Sequence, residues 1–120
     1  MKAKIKKITI DIFCFEVWIY IWEKEWFVKF RSKKFNTKNN MDWLDWRWAL
    51  TYMLNERKQC LWVDIHETKK EQTEIMTHEI NHSIQRMLEY MGISMWIENT
   101  ELVSNLREYM LPKALELIKK

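Results

Sequence analysis

Glycine and proline are almost missing from this chain of 120 residues, which contains one of each. Collagen-like, linker-like and low-complexity chains are rich in these residues, so all three classes are excluded. Phosphate-binding loops of the dinucleotide and P-loop types need several glycines close together, and they are excluded as well. Because the chain has so few residues that favour turns, we expect the single Gly92 to mark an important turn.

An excess of one charge is also missing. The 20 Lys and Arg residues against 17 Asp and Glu residues leave a net charge of +3, which by itself indicates neither a nucleic-acid nor a membrane partner. The length, with 48% hydrophobic and 31% charged residues, predicts one compact domain over residues 1–120 and excludes a two-domain enzyme.

Positive charge is concentrated in two short clusters. One is Lys2, Lys4, Lys6 and Lys7, and the other, which contains Phe30 and Phe35, is Lys29, Arg31, Lys33, Lys34 and Lys38. The simpler interpretation is a solvated edge that discourages aggregation between strands. The alternative is a surface for single-stranded nucleic acid, which the near-neutral balance of the whole chain disfavours.

The apolar stretch 8–22 follows lysines as in a secretory signal, but Asp11 and Glu16 interrupt it and no small-residue cleavage site follows. Its charges and short length argue against a membrane span. Cys14 and Cys60 fall in predicted strands, and we expect both to be reduced core residues. We therefore expect a cytoplasmic protein without a membrane partner.

Alternating apolar and polar residues predict strands in the first half of the chain. Residues 4–30 read as strand, with a shift of phase at 13–15 that indicates a bend, bulge or short break. Residues 23–25 are predicted to form a hairpin turn that leads into a return strand. Residues 41–48 are interpreted as a short helix. A second hairpin is predicted from strands at 49–54 and 60–65.

The second half of the chain carries helical periodicity. Residues 69–91 predict a helix with a core stripe at Met76, Ile80, Ile84, Met87 and Met91, and Gly92 follows at the position of a left-handed cap. A second helix is predicted to begin near Asn99 or Thr100. Pro112 is expected to kink or restart it, and in the second case 113–119 form a separate final helix. Strands followed by helices indicate an α+β fold.

One motif in the sequence indicates a possible reaction site. Residues 78–82 read His-Glu-x-x-His inside the first predicted helix. A spacing of four puts His78 and His82 on one helical face, where both imidazoles can bind one zinc ion, with Glu79 beside them as general base for a water that the metal activates. The competing interpretation is a histidine pair at helical spacing on the surface or at the edge of the core.

A zinc site of this kind needs a third protein ligand and one open position. Position 85 is Gln and no His follows His82, so a third His from a broken helix is excluded. The residues leave His66, just after the 60–65 strand, and two glutamates, Glu98 and Glu101, near the next helix.

The pattern of 78–82, 88–93 and 98–101 resembles small phage and prophage proteins of the zincin-like metallopeptidase type. In the related gluzincins, a downstream helix supplies the third ligand through Glu-x-x-x-Asp, and Glu101 followed by Asn105 is similar to that motif, with Asn in place of Asp. The resemblance implies Zn²⁺ held by His78, His82 and Glu101, with Asn105 orienting a ligand imidazole. It also implies a minimal zincin core: a mainly antiparallel small sheet packed on the active-site helix and a following C-terminal helix.

The group that would stabilise the transition state stays unassigned. His66, Tyr90 and Tyr109 are candidates for oxyanion or substrate contacts, but none has a diagnostic spacing. If the 60–65 strand forms the edge that faces the cleft, an extended peptide could pair with it. Among the tryptophans, Trp18, Trp22 and Trp62 are expected in the core, whereas the crowded Trp43, Trp46 and Trp48 cannot all face inward.

The sequence thus predicts a small zinc-dependent metallopeptidase that acts on a peptide or protein, in the cytoplasm of a bacterial host if it is encoded by a phage. The alternative is a non-catalytic zincin-like module that binds a protein or a nucleic acid. Replacing Glu79 by Gln separates the two, because only an enzyme would lose an activity. Cleavage specificity and oligomeric state stay open.

Overall fold

The structure is a computed structural model, and it describes residues 3–35, 49–55, 57–93 and 99–119. The strands are β1 Lys4–Ile10, β2 Phe15–Trp22, β3 Ala49–Asn55 and β4 Lys58–Asp64. The helices are α1 Lys24–Phe35, α2 Lys69–Tyr90 and α3 Thr100–Lys119, and a 3-10 turn at Asp11–Phe13 joins β1 to β2. The predicted α+β class is confirmed. The predicted helix at 41–48 lies outside the described residues.

The four strands form one sheet in the order β1-β2-β4-β3. The β1–β2 and β3–β4 pairs are antiparallel, so the predicted second hairpin is confirmed, and the central β2–β4 pair is parallel. A parallel pair needs a long crossover connection, and α1 belongs to the chain that makes it. Because β4 lies between β2 and β3, it is not an edge of this sheet, and the condition for pairing a peptide with the 60–65 strand is not met.

The reversal between β1 and β2 occurs at the predicted break in phase. Cys14 adopts a left-handed backbone with φ 52°, and its N–H donates to the carbonyl of Asp11 over 3.1 Å. Cys14 is therefore an exposed turn residue rather than a core residue of a strand, whereas Cys60 is buried in β4 as expected. Both cysteines are free.

The predicted hairpin at 23–25 is wrong, because helix α1 begins there. Its buried residues Phe27 and Val28 pack on the second face of the sheet, where the ring of Phe27 stacks on Trp62 at 5.2 Å. A return strand would lie at the edge of the sheet and leave that face bare. Burial, with a smaller contribution from Cys60, raises the pKa of Tyr20 in this cluster to about 12.

The main core lies between the other face of the sheet and helices α2 and α3. The predicted stripe on α2 is confirmed for four of its five members, which are fully buried, while Met91 is partly buried at the end of the helix. Trp62 is buried as predicted, but Trp18 and Trp22 are only partly buried. Trp43, Trp46 and Trp48 lie outside the described residues. No helix in the described ranges is long and apolar enough to span a membrane.

Two polar contacts fix the direction of α2 across the sheet. Near the start of β4, the side chain of Gln59 donates to the carbonyl of Ser83 over 2.9 Å and accepts from the Ser83 hydroxyl. Just beyond the end of β4, Gln72 at the start of α2 donates to the carbonyl of Ile65 over 3.2 Å. Helix α2 therefore runs antiparallel to β4.

Both ends of α2 are capped by the sequence. At its start, Thr68 and Glu71 form a reciprocal capping box. At its end Gly92 has φ 72°, its N–H donates to the carbonyl of Glu89 over 3.0 Å, and the N–H of Ile93 donates to Leu88 over 2.8 Å. This pair of hydrogen bonds is a Schellman motif, so the predicted left-handed cap is confirmed.

Helix α3 is continuous, and the separate final helix predicted after Pro112 is wrong. Buried residues on both sides of Pro112 pack into the same core, which holds the helix together across the missing N–H: Val103, Leu106, Met110, Ala114, Leu117 and Ile118. The predicted start near Asn99 or Thr100 is confirmed, since α3 begins at Thr100.

Contacts at both ends of β1 fix the direction of α3. Lys6 lies 3.3 Å from Glu116 near the end of α3, and the Tyr109 hydroxyl donates to the carbonyl of Thr9 over 2.9 Å. Helix α3 therefore runs antiparallel to β1. Because β1 and α2 are both antiparallel to the β2–β4 pair, α2 and α3 are antiparallel neighbours.

Candidate metal centre

The two histidines of the motif meet on the flank of α2 that faces away from the core. Their Nε2 atoms lie 2.9 Å apart, and their rings are at 85° with centroids 4.5 Å apart. His78 is exposed and His82 is half-buried. The two imidazoles are therefore close together on one face of α2, as the spacing predicts.

The spacing of the pair can be compared with the needs of a zinc ion. With Zn–N bonds of about 2.05 Å, nitrogens 2.9 Å apart subtend about 90° at the metal. A tetrahedral angle would need a separation of about 3.3 Å with the same bonds. Small rotations of two side chains at the surface can supply that difference, so His78 and His82 fit a zinc ion as two of its ligands.

Glu79 lies on a different flank of α2. It is one residue after His78, which places it about 100° around the helix, and it is only 9% exposed. Ser83, one turn later on that flank, bonds to Gln59 of β4. The Glu79 carboxylate is therefore on the side of α2 that packs on β3 and β4, between the imidazole flank and the sheet.

On the opposite flank, a hydrogen bond joins α3 to the motif. Arg107 donates from Nε to the side-chain oxygen of Asn81 over 2.8 Å. Glu101 lies six residues earlier, about 9 Å along α3 and about 120° around it from Arg107. Since the helices are antiparallel, that displacement is toward the C-terminal end of α2 and away from His78.

Glu101 is accordingly exposed and is not brought to the imidazoles. Among the residues that the structure describes, no three His, Cys, Asp or Glu side chains form a group that could hold a metal ion. Glu98 lies outside the described residues. The third ligand implied by the resemblance thus stays a prediction.

The two other α3 residues predicted at the site meet elsewhere. Asn105, predicted to orient an imidazole, and Tyr109, a candidate substrate contact, line one cavity beside the 3-10 turn. The walls of this cavity do not include His78, Glu79 or His82.

His66 and Tyr90 are also held away from the pair. His66 lies in the loop before α2, with Nε2 3.6 Å from a carboxylate oxygen of Glu23, and twelve residues of chain separate it from His78. The Tyr90 ring packs edge-on against Phe15 at 6.0 Å and lies under the guanidinium of Arg57.

The sequence interpretation did not identify two arginines close to the pair. Arg107 is the α3 contact described above, and Arg86 lines a cavity of about 270 Å³ together with His82, Gln85 and Glu89. Gln85 donates to the Glu89 carboxylate over 3.1 Å. The sequence could have indicated Arg86, because its spacing of four from His82 puts both side chains on one helical face.

No protein-family model, curated protein or solved structure matches this chain.

Proposed function

We propose that this protein is a zinc-dependent hydrolase that cleaves peptide bonds, with His78 and His82 as metal ligands and Glu79 as general base. The observation that carries the proposal is the pair of Nε2 atoms 2.9 Å apart, with the buried Glu79 carboxylate on the adjacent flank. Two imidazoles would supply two of the three protein ligands of a catalytic zinc, and the neighbouring carboxylate would supply the general base.

Zinc bound there would polarise a substrate carbonyl and make water a better nucleophile at neutral pH. Glu79 then accepts a proton from the attacking water at a carboxylate oxygen and delivers it to the nitrogen of the breaking C–N bond. The products are a carboxylate and an amine. Glu79 is only 9% exposed, and the hydrogen bonds between Ser83 and Gln59 hold that part of α2 on β4.

The substrate would lie along β3. Among the described strands, β3 is the outer neighbour of β4 and has no strand on its other side, and α2 packs against it. An extended peptide can add to such an edge by main-chain hydrogen bonds. From the sequence, the 60–65 strand was the candidate for pairing with a peptide. In the proposal β3 takes that role.

The first experiment measures metal content and hydrolysis in the same preparations. Protein purified without chelator should contain one zinc per chain, and His78→Ala and His82→Ala should lose it. Glu79→Gln should keep zinc and the fold but lose cleavage of a peptide library by at least a hundredfold. The control is Glu74→Gln, which changes an exposed glutamate of the same helix and should alter neither readout. Wild-type protein without stoichiometric zinc would contradict the proposal.

The third ligand can be tested separately. Glu101→Gln and Glu98→Gln should each be titrated with zinc, with Glu108→Gln on the exposed side of α3 as the control. Loss of affinity by at least tenfold in one of the first two identifies the carboxylate. If neither changes affinity, the glutamate arrangement implied by the resemblance is wrong.

The second candidate function is a non-catalytic module that binds a protein or a nucleic acid. Two observations favour it: the imidazoles lie within hydrogen-bonding distance of each other, and two arginines lie beside the motif, Arg86 in one cavity with His82 and Arg107 of α3 hydrogen-bonded to Asn81. Positive charge near the two imidazoles disfavours the binding of a metal cation to them. For this function, Glu79→Gln should leave partner binding unchanged.

A further inference from the structure

A second concave site lies at the other end of the molecule from His66, between the 3-10 turn and α3. Its volume is about 380 Å³, at the small end of the range for sites that bind small molecules. Its lining residues are Ile10, Asp11, Ile12, Phe13, Leu102, Asn105, Leu106 and Tyr109. It is separate from the histidine pair, so its function does not depend on metal or hydrolysis.

The walls of this cavity are fixed by the fold. Ile10 and Leu106 belong to the main core, and the Tyr109 ring is held by its hydroxyl, which donates to the carbonyl of Thr9 over 2.9 Å. Arg57 donates to the carbonyl of Phe13 over 2.6 Å, which holds the turn that forms the opposite wall. A cavity with fixed walls binds without a large ordering cost.

The walls are mostly apolar, and Ile12 remains 80% exposed at the rim. The polar groups among the lining residues are the carboxylate of Asp11, the amide of Asn105 and the hydroxyl of Tyr109. No basic residue is among those that line the cavity in the described part of the chain. The lining therefore combines an apolar body with one negative charge.

Two positively charged side chains contact residues of the walls but are not themselves among the residues that line the cavity. The guanidinium of Arg57 is engaged with the Phe13 carbonyl, and the Lys113 ammonium lies over the Tyr109 ring at 4.8 Å. The carboxylate of Asp11 forms no ion pair with either of them at 4.0 Å or less. Asp11 is thus available to a ligand that enters the cavity.

We propose that this cavity binds a small amine, an apolar ring or chain that ends in a protonated nitrogen. The apolar part fills the space between Phe13, Leu102 and Leu106. The ammonium group pairs with the Asp11 carboxylate, and the carbonyl oxygen of the Asn105 side chain can accept a second hydrogen bond. A neutral or anionic ligand of the same shape would lose the charge interaction.

The test uses three probes of one shape that differ in charge: phenylbutylammonium, phenylbutanol and phenylbutanoate. Binding is followed by chemical-shift changes in ¹H–¹⁵N spectra and by calorimetry. The expected order of affinity is amine, then alcohol, then acid, with shifts centred on Ile12, Leu102 and Asn105. Asp11→Asn should weaken the amine about two- to fivefold, the range for a partly exposed charge pair, and leave the alcohol unchanged.

Two further variants keep the test decisive. Asn105→Trp, which adds a large ring at an exposed lining position, should abolish binding of all three probes. Glu108→Gln changes a nearby charge outside the cavity and should have no effect. Equal affinity for amine and alcohol, or an Asp11→Asn variant that binds the amine normally, would overturn the proposal. So would shifts of these residues that depend on protein concentration without probe, because a second copy of the chain would then cover the cavity.

Discussion

The cap at Gly92 offers a perturbation whose cost can be worked out from the structure. Gly92 has φ 72°, and a Cβ built on it meets no atom within 4 Å. A methyl group at this position would therefore be free of steric contacts with the rest of the fold. The penalty for Gly92→Ala comes only from the left-handed backbone, which costs an L-residue about 1–2 kcal/mol.

This penalty predicts a graded series. Gly92→Ala should lower the free energy of unfolding by about 1–2 kcal/mol, and Gly92→Val by more, because a β-branched residue is a rarer occupant of the left-handed region. Gly92→Asn should lose only a few tenths of a kcal/mol, since Asn adopts this conformation more readily. For a chain of this length, each kcal/mol corresponds to about 3–5 °C in Tm.

Urea unfolding followed by tryptophan fluorescence measures the series, and zinc titration measures its effect on the candidate site. Gly92→Val is expected to weaken zinc binding without changing a ligand, because the cap sets where the chain leaves α2 for α3. An Asn variant as unstable as the Ala variant would refute the conformational argument. Unchanged zinc affinity in a destabilised Val variant would refute the coupling of this turn to the metal centre.

Three other substitutions test the core. Tyr20→Phe should remove a loss of stability at high pH. The pKa of Tyr20 is raised to about 12 in the folded protein, above the ordinary tyrosine pKa of about 10, so the unfolded chain releases the proton first, and stability falls between these pH values by up to about 2–3 kcal/mol. Unfolding is measured from pH 9 upward, with the exposed Tyr90→Phe as control. The unmodified protein and this control should lose stability, and Tyr20→Phe should not. Ser83→Ala should cost about 1–3 kcal/mol in urea unfolding by leaving the buried Gln59 without its hydroxyl partner; the double variant with Gln59→Leu should recover part of it. Pro112→Ala should stabilise α3 by up to about 3 kcal/mol, and an unchanged midpoint in urea would contradict this.

Helix α2 was predictable because its signals are local. The stripe from Met76 to Met87 repeats with the helical period, and the only glycine of the chain stands one residue after Met91. Each signal requires only neighbours within a few residues, and the structure confirms both the helix and its cap. The face shared by His78 and His82 follows from the same period.

Helix α1 was not predictable in this way. Its aromatic and β-branched residues, such as Phe27 and Val28, favour a strand locally, and the preceding strand continues the pattern. What decides its conformation is the second face of the sheet, where Tyr20 and Trp62 are buried only if a helix covers them. That requirement comes from the parallel β2–β4 pair, which residues close in sequence do not encode.

The placement of Glu101 shows the same limit at the candidate site. Its spacing from the histidines specifies how much chain lies between them but not the rotation of α3. That rotation is set by the apolar residues that α3 buries, among them Val103, Leu106 and Met110, which turn Glu101 to solvent and Asn105 to the second cavity. To bring Glu101 to the imidazoles, α3 would have to rotate and also slide along α2, which would expose these three side chains, at about 1.5–3 kcal/mol each. The sum approaches the whole stability of an ordinary domain, about 5–15 kcal/mol. A carboxylate from this helix could therefore reach the proposed zinc position only if the first turn, which contains Glu101 and Val103, unwinds while Leu106 and Met110 stay packed.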